Sequence, residues 1–303
     1  MNYDEVIARV LAAPVPPGTP GPMVDSSIPR LFRDAIEPLA MHAVWCRRTN
    51  EALGALGMDF ITSYLWGRAA ALGEAEPGVV VSSFAVFEPT MVEAVFAAGR
   101  AACPRADLLA ARTAATVASL GQFLESEEVD SVADTLQDAV RGLDGTGRPL
   151  FSGLRNQPAP DGSVARLWQA TELAREHRGD SHIAACVAAG LDPVEMNIVT
   201  ELWVGMPIHT YSATRGWSAE QLGAAAERLR ARGHMEGDEL SSAGMTFRSE
   251  IEATTDRLEQ PLINALDAGP VPSGTLIEML GEWSQRCVAA GAFPAGLHKL
   301  AAG

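Results

Sequence analysis

Residues 217–258 read WSAEQLGAAAERLRARGHMEGDELSSAGMTFRSEIEATTDRL, and their reading decides the fold. Ser218 precedes Gln221 by three positions, the spacing of a capping box that satisfies two orphan N–H groups at a helix start. The alanine- and leucine-rich run behind it, 219–233, predicts a helix. Arg228, Arg230 and Arg232 fall at its C-terminal end, where cations oppose the helix dipole. Gly237-Asp238 then sits between two short segments of HMEGDEL, as in a small β-hairpin. From Met245 to Leu266 the apolar residues recur at helical spacing, so a long amphipathic helix follows the hairpin.

Outward from this stretch nearly everything reads as helix. Asp192-Pro193-Val194-Glu195 combines an N-cap Asp, Pro at the first helical position and Glu two positions later. Proline and glycine clusters punctuate the chain at 14–22, 142–162 and 269–274. In the first half, helical stretches are predicted at 34–57 with a break at Pro38, 58–73, 89–101, 107–128 and 132–143. Residues 144–163, DGTGRPLFSGLRNQPAPDGS, read as a long loop. The helix 164–178 is expected to end at Gly179, with Asp180 capping the next one.

The two halves echo one another. ALGMDFITSYLWG at 55–67 parallels AAGLDPVEMNIVTELWVG at 188–205: each has Gly, an apolar residue and Asp opening a helix that reaches Leu-Trp. FEPTMVEAVFAAGRA at 87–101 parallels WSAEQLGAAAERLRARG at 217–233. The expected organisation is an N-terminal helix and Pro-rich arm (1–30), a first helical unit (31–150) and a second unit with C-terminal helices (151–303).

Helix, helix, capped helix, hairpin and long helix over 190–266 resemble a winged helix of the MarR type. Leu240, Ser241, Ser242, Ala243 and Gly244 match the Leu-(Ser/Thr)-x-x-Gly segment with which that wing returns into the dimerisation helix. LWQATELAREHRGDSHIAACVAAGLDPVE (167–195), with ERLRARG and EIEATTDRL, is similar to an actinobacterial helix-turn-helix family of about 300 residues. The resemblance implies a mostly α fold of two tandem MarR-like winged-helix units. They would form a pseudo-two-fold single-chain dimer with a small β-hairpin wing in the second unit only. Between Gly99 and Leu108 there is no room for a wing.

Charge argues against the DNA-binding role that such a fold implies. The chain carries 38 acids against 23 bases, net -15, and its single lysine is Lys299. Nucleic-acid binding needs a basic footprint. The would-be wing holds Glu236, Asp238 and Glu239, and the start of the would-be recognition helix offers Glu220 and Gln221 but no base. No apolar run is long enough for a transmembrane helix, and residues 1–20 lack a basic n-region. The four cysteines form no CxxC pair, as in a cytoplasmic protein with reduced thiols.

Candidate site residues cluster in three places. REHRGDSH, 175–182, gives Arg175, Arg178 and His182 as ligand contacts and His177 as an acid/base. Read blandly, the same residues are a well-capped corner. His42 lies in the corresponding part of the first half, as a second acid/base across an internal cavity or as a hydrogen-bonded core histidine. His42 and Cys46 have the i,i+4 spacing of a metal pair, but no third ligand is visible, so no metal is expected. Tyr64, Trp66 and Trp203 form an aromatic wall or plain core. No dinucleotide loop, HExxH, GxSxG or Walker motif occurs, so no cofactor is implied.

The expected function is therefore a small-molecule-binding protein or a cofactor-independent enzyme acting on an organic metabolite, as in natural-product (secondary) metabolism. Its site lies at the interface of the repeats, with histidine supplying any acid/base chemistry. The alternative is a MarR-like transcriptional regulator. The expected partners are a small-molecule ligand, no nucleic acid, no membrane, and a second copy joined as a homodimer through the polyproline arm.

Overall fold

The computed structural model describes residues 3–12, 27–124 and 128–294. The polyproline arm, and with it the expected homodimer contact, lies outside the described residues.

The first half holds α1 (Tyr3–Ala12), α2 (Ile28–Ala40), α3 (His42–Trp45), α4 (Arg47–Gly54), α5 (Phe60–Ala69), α6 (Pro77–Phe84), α7 (Pro89–Ala102), α8 (Arg105–Leu120) and α9 (Glu128–Arg141). The second half holds α10 (Pro149–Arg155), α11 (Ser163–Ala188), α12 (Pro193–Trp203), α13 (Ala219–Ala231), α14 (Ser242–Asp267) and α15 (Ser273–Ala289). Among the described residues the only sheet is the hairpin of β1 (Met235–Glu236) and β2 (Glu239–Leu240), antiparallel, with Met235 opposite Leu240.

The caps read from sequence are present. Ser218 and Gln221 form a complete capping box at α13, and Asp192 and Glu195 do the same at α12. The chain reaches α12 and α5 through the same kind of corner. Gly190 (φ 78°) and Gly57 (φ 85°) take the left-handed conformation that ends a helix. Leu191 and Met58 are buried behind them. Asp192 and Asp59 then cap the next helix, each accepting from its first-turn N–H groups. The Leu-Trp pairs are not equivalent within this frame: Trp66 lies seven residues beyond its capping Asp59, Trp203 eleven beyond Asp192.

Three expectations fail. Pro38 does not break its helix; α2 runs on to Ala40, and the chain bends at Met41 and again at Cys46. The supposed loop at 144–163 contains α10, with Pro149 at its first position and Leu150, Phe151 and Leu154 buried. Most important, Gly179 ends nothing. α11 continues through it for 26 residues, roughly 39 Å at 1.5 Å per residue. A mid-helix glycine costs about 1 kcal/mol, and the tertiary contacts described below outweigh it.

α11 is the central element. Its N-terminal half enters the largest core with α2, α9, α10, α15 and the end of α14, through Leu167, Trp168, Leu173, Leu136, Phe151 and Leu266. Its C-terminal end enters a second core with α12, α13 and β1, through Cys186, Ile198, Leu229 and Met235. A third core, around Leu65, Trp66, Phe96 and Leu108, joins α5, α7 and α8. The four cysteines are buried and free. No single described helix is long and apolar enough to cross a membrane; α11 with α12 qualifies only as a pair bent by 110°.

Candidate functional site

The residues 175–182 form neither a corner nor a row on one side of a helix. Each reaches a different neighbour. Arg175 pairs with Glu37 of α2 (3.1 Å), and Glu176 accepts from Nε and Nη2 of Arg68 in α5 (3.0 and 2.8 Å). His177 Nδ1 lies 2.7 Å from Glu259 of α14, and Arg178 donates to Asp256 (2.9 Å) and Glu252 of the same helix. Asp180 accepts from the Phe151 N–H (3.0 Å), so it does cap a helix, but that helix is α10, 29 residues earlier in the chain. His182 Nδ1 meets Thr255 Oγ1 at 3.1 Å. Buried charges survive only when partnered, and here the partners come from four other helices.

This hub walls a cavity of about 160 Å³ enclosed by α2, α5, α6, α11, α12, α14 and the turn Ser212–Arg215. Its lining is unusually cationic for so acidic a chain. α2 supplies Arg30 and Arg33, α5 Arg68, α11 Arg175 and Arg178, the turn Arg215, and α14 Arg248. Phe84, Phe87, Val86, Ile183 and Met196 supply its apolar lining, with Arg68 over the Phe84 ring and Arg215 over that of Phe87. Glu252 faces Arg30 (3.3 Å), Arg178 and Arg248 (2.8 Å) together. Burial raises its pKa, but these arginines prevail and hold the carboxyl far below its ordinary range.

The turn that carries Arg215 is anchored by one carboxylate. Glu201, fully buried, accepts from the N–H groups of His209, Tyr211 and Ser212 and from the Ser212 hydroxyl. This fixes a segment in which His209 has a positive φ of 65°. The Arg215 carbonyl in turn accepts from the Glu88 N–H at the start of α7 (2.9 Å), tying the turn to the first half.

Of the residues singled out in the sequence, Arg175, Arg178, His182 and Tyr64 line the cavity. His177, His42, Trp66 and Trp203 do not. His177 is 2% exposed and packs edge-on against Phe151 (4.9 Å). His42 is wholly buried elsewhere, its Nε2 2.9 Å from Ser119 Oγ. Cys46 donates to the same hydroxyl (3.1 Å), so both members of the possible metal pair turn to serine. Among the described residues no cluster of three or more His, Cys, Asp or Glu is placed to hold a metal ion. Trp66 donates to the Cys103 carbonyl, and Trp203 lies beneath the guanidinium of Arg248 (4.0 Å).

Histidine acid/base chemistry near neutral pH does not fit these surroundings. Burial pushes His42 down to about 4 and, with Arg248 nearby, His182 down to about 3, so both are neutral. Among the cavity-lining groups, Tyr64 and Asp180 are shifted in the direction that eases proton exchange near neutral pH. Burial raises the Tyr64 phenol, but Arg68, Arg215 and Arg175 outweigh it and leave it lowered; the phenol oxygen accepts from Arg68 Nη1 at 2.8 Å. Asp180 is pushed up to about 7, chiefly by burial and also by Glu176, against the hydrogen bond from Phe151 and the charge of Arg68.

Asp180 gives a pH prediction. A carboxyl whose folded pKa is raised contributes fully below its unfolded value of 3.8, and the contribution fades as pH rises through about 7. The wild-type melting temperature should carry a decline across that window that Asp180→Asn removes. Asp180→Ala should lose about 1 kcal/mol through the vacant α10 cap. Parallel melting curves for wild type and Asp180→Asn between pH 4 and 7 would refute this account.

The arginines of α13 are neutralised in place. Arg228 pairs with Asp192 and Glu195, Arg232 with Glu195 (2.8 Å), and Arg230 with Glu227 (2.7 Å) and Asp238 (2.9 Å). The exposed start of α13 presents Ser218, Glu220 and Gln221. The cavity arginines Arg30, Arg33, Arg215 and Arg248 were missed in the sequence. A faint signal existed in α14, where Arg248, Glu252, Asp256 and Glu259 occupy the same buried face as Ile251, Leu262 and Leu266.

α12, the turn, α13, a two-stranded hairpin and the long α14 define a mostly helical helix-turn-helix protein with an internal cavity. The model of the family described as "Helix-turn-helix family" matches residues 29–294, and the chain belongs to that family. No curated protein and no solved structure matches the chain.

Proposed function

We propose that this protein binds a small organic metabolite in the arginine-lined cavity and does not read DNA. The observation that supports it best is the contrast between the two candidate surfaces. The cavity gathers seven arginines with apolar side chains, and two of them, Arg215 and Arg248, keep a buried Nε without a partner, the anatomy of a ligand site. The α13 face and the hairpin present acids and pre-paired arginines. If the protein is a cofactor-independent enzyme, Tyr64 and Asp180 replace the histidines as the groups able to exchange a proton with the ligand.

The architecture, on the same reading, is tandem. The matching Gly-apolar-Asp corners before α5 and α12 support it, as does the shared order of capped helix, α7 or α13, and long helix, α8 or α14. α7 passes to α8 through Cys103-Pro104 alone, the expected loss of a wing. The cavity then lies between the two MarR-like units, where α5 and α6 meet α11, α12 and α14.

A crystal structure of the protein as purified tests both parts. Residues 31–125 and 165–266 should superpose, and ligand density should occupy the cavity. The regulator reading has the helix-turn-helix fold on its side, and anisotropy with duplex DNA separates the two. Binding should stay at non-specific background, Kd no tighter than about 10⁻⁶ M at physiological salt. A defined footprint with a steep salt slope would favour the regulator.

A further inference from the structure

We infer that the cavity ligand is a compact organic anion, its oxyanion held by Arg215 and Arg248 and its apolar body against Phe84, Phe87 and Met196. This deepens the ligand-site reading above and rests on it.

The cavity arginines divide into two kinds. Arg30 is paired with Asp34 and Glu252, Arg33 with Asp34 and Glu37, Arg68 with Glu176, Arg175 with Glu37 and Glu176, and Arg178 with Glu252 and Asp256. Paired in this way, they contribute little net charge and have little left to donate. Arg215 and Arg248 differ. Among the described residues no carboxylate stands within 4.0 Å of Arg215; its guanidinium lies over the rings of Tyr211 (4.1 Å) and Phe87 (4.7 Å). Its Nε is buried with no hydrogen-bond partner. Arg248 is 3% exposed, spends Nη1 on Glu252, and also leaves a buried Nε without a partner. A buried charged donor without an acceptor is costly, and a planar fork is suited to an oxyanion. Against its burial, Arg68, Arg215 and Arg175 also lower the Tyr64 phenol, so they favour a negative oxygen beside them.

The acids of the lining do not cancel this. Glu176 and Glu252 are each engaged by two or more arginines. Asp180 spends Oδ2 on the Phe151 N–H, and burial holds its carboxyl toward the neutral form. Size limits the body of the ligand. About 160 Å³ is close to a cavity of about 150 Å³ that holds benzene, so one ring or its aliphatic equivalent fills it. Carboxylate and phosphate monoester share the oxyanion chemistry, and the probes below separate them.

Calorimetric titration of the full chain with benzoate, phenyl phosphate, benzamide and inorganic phosphate tests the inference. Benzoate or phenyl phosphate should bind, with benzamide and inorganic phosphate at least tenfold weaker. Arg215→Gln, on a half-buried side chain, should weaken the anion at least tenfold with an unchanged melting temperature. Arg248→Gln should weaken the anion likewise, with a lowered melting temperature because Glu252 loses a partner. Benzamide binding as tightly as benzoate, or Arg215→Gln binding like wild type, would overturn the anion and leave the ligand site standing. Inorganic phosphate matching phenyl phosphate would overturn the apolar body. Failure of all four probes, with an empty cavity in the purified protein, would overturn both readings.

Discussion

Glu252→Ala is expected to lower the unfolding free energy by about 3–5 kcal/mol, the usual cost of removing one partner from a buried ion pair. Glu252 is 2% exposed, and its carboxylate faces Arg30 from α2, Arg178 from α11 and Arg248 from its own helix. Its loss leaves three guanidiniums around a vacancy. Denaturant unfolding followed by circular dichroism measures the change, and a loss below about 1 kcal/mol would mean that solvent reaches the cluster. Glu252→Gln, which keeps the shape and one acceptor, should fall between. The acid dependence follows from the same carboxylate. Its folded pKa is depressed far below the ordinary 4.5, so its stabilisation is complete above pH 4.5 and is lost as pH falls toward the depressed value. Glu252→Gln should therefore be less sensitive than wild type below pH 4.5.

Gly244→Ala is the second large effect, expected at about 3 kcal/mol, the upper end of overpacking. Gly244 closes the Leu-Ser-Ser-Ala-Gly segment between hairpin and α14. A Cβ there would lie 2.0 Å from the His234 carbonyl oxygen and 2.9 Å from its carbon. That neighbour is backbone and cannot swing aside, and its oxygen already accepts from the Ser241 N–H (3.1 Å). The hairpin must therefore detach or α14 must shift. Hydrogen exchange should show faster exchange at Met235 and Leu240 than in wild type. Unchanged protection with unchanged stability would show that the close approach is relaxed in solution. Gly223, where a Cβ would meet nothing within 4 Å, is the control: alanine there should be neutral or stabilising.

The position of Gly244 was legible because the wing-return segment places a glycine there; its clash was not, since the opposing carbonyl is set by how the hairpin folds back. The same division runs through the candidate site. Arg175, Arg178, His182 and Tyr64 stood out by charge density and aromatic scarcity, and they line the cavity. His177 and His42 stood out equally and do not. A histidine's chemistry depends on what it faces, and Glu259 and Ser119 lie 82 and 77 residues away.

From the chain alone came the elements whose chemistry closes within four residues: the capping boxes at Ser218 and Asp192, the Gly237 turn, the long helix after Gly244, and the acidity of the α13 face. Each rests on a hydrogen bond or a period that local sequence spells out. Tertiary structure decided whether α11 ends at Gly179. An Arg-Glu-His-Arg-Gly-Asp run is a good helix end and cap when solvated. It becomes mid-helix here because Asp180 finds the N–H of Phe151, and its neighbours find Glu37, Arg68, Glu252 and Glu259 on helices folded against it. Those pairings are worth little in water and much more where water is excluded. The charged residues of α11 are therefore ambiguous in sequence and gain their roles, as hub and cavity wall, only when packing removes the solvent.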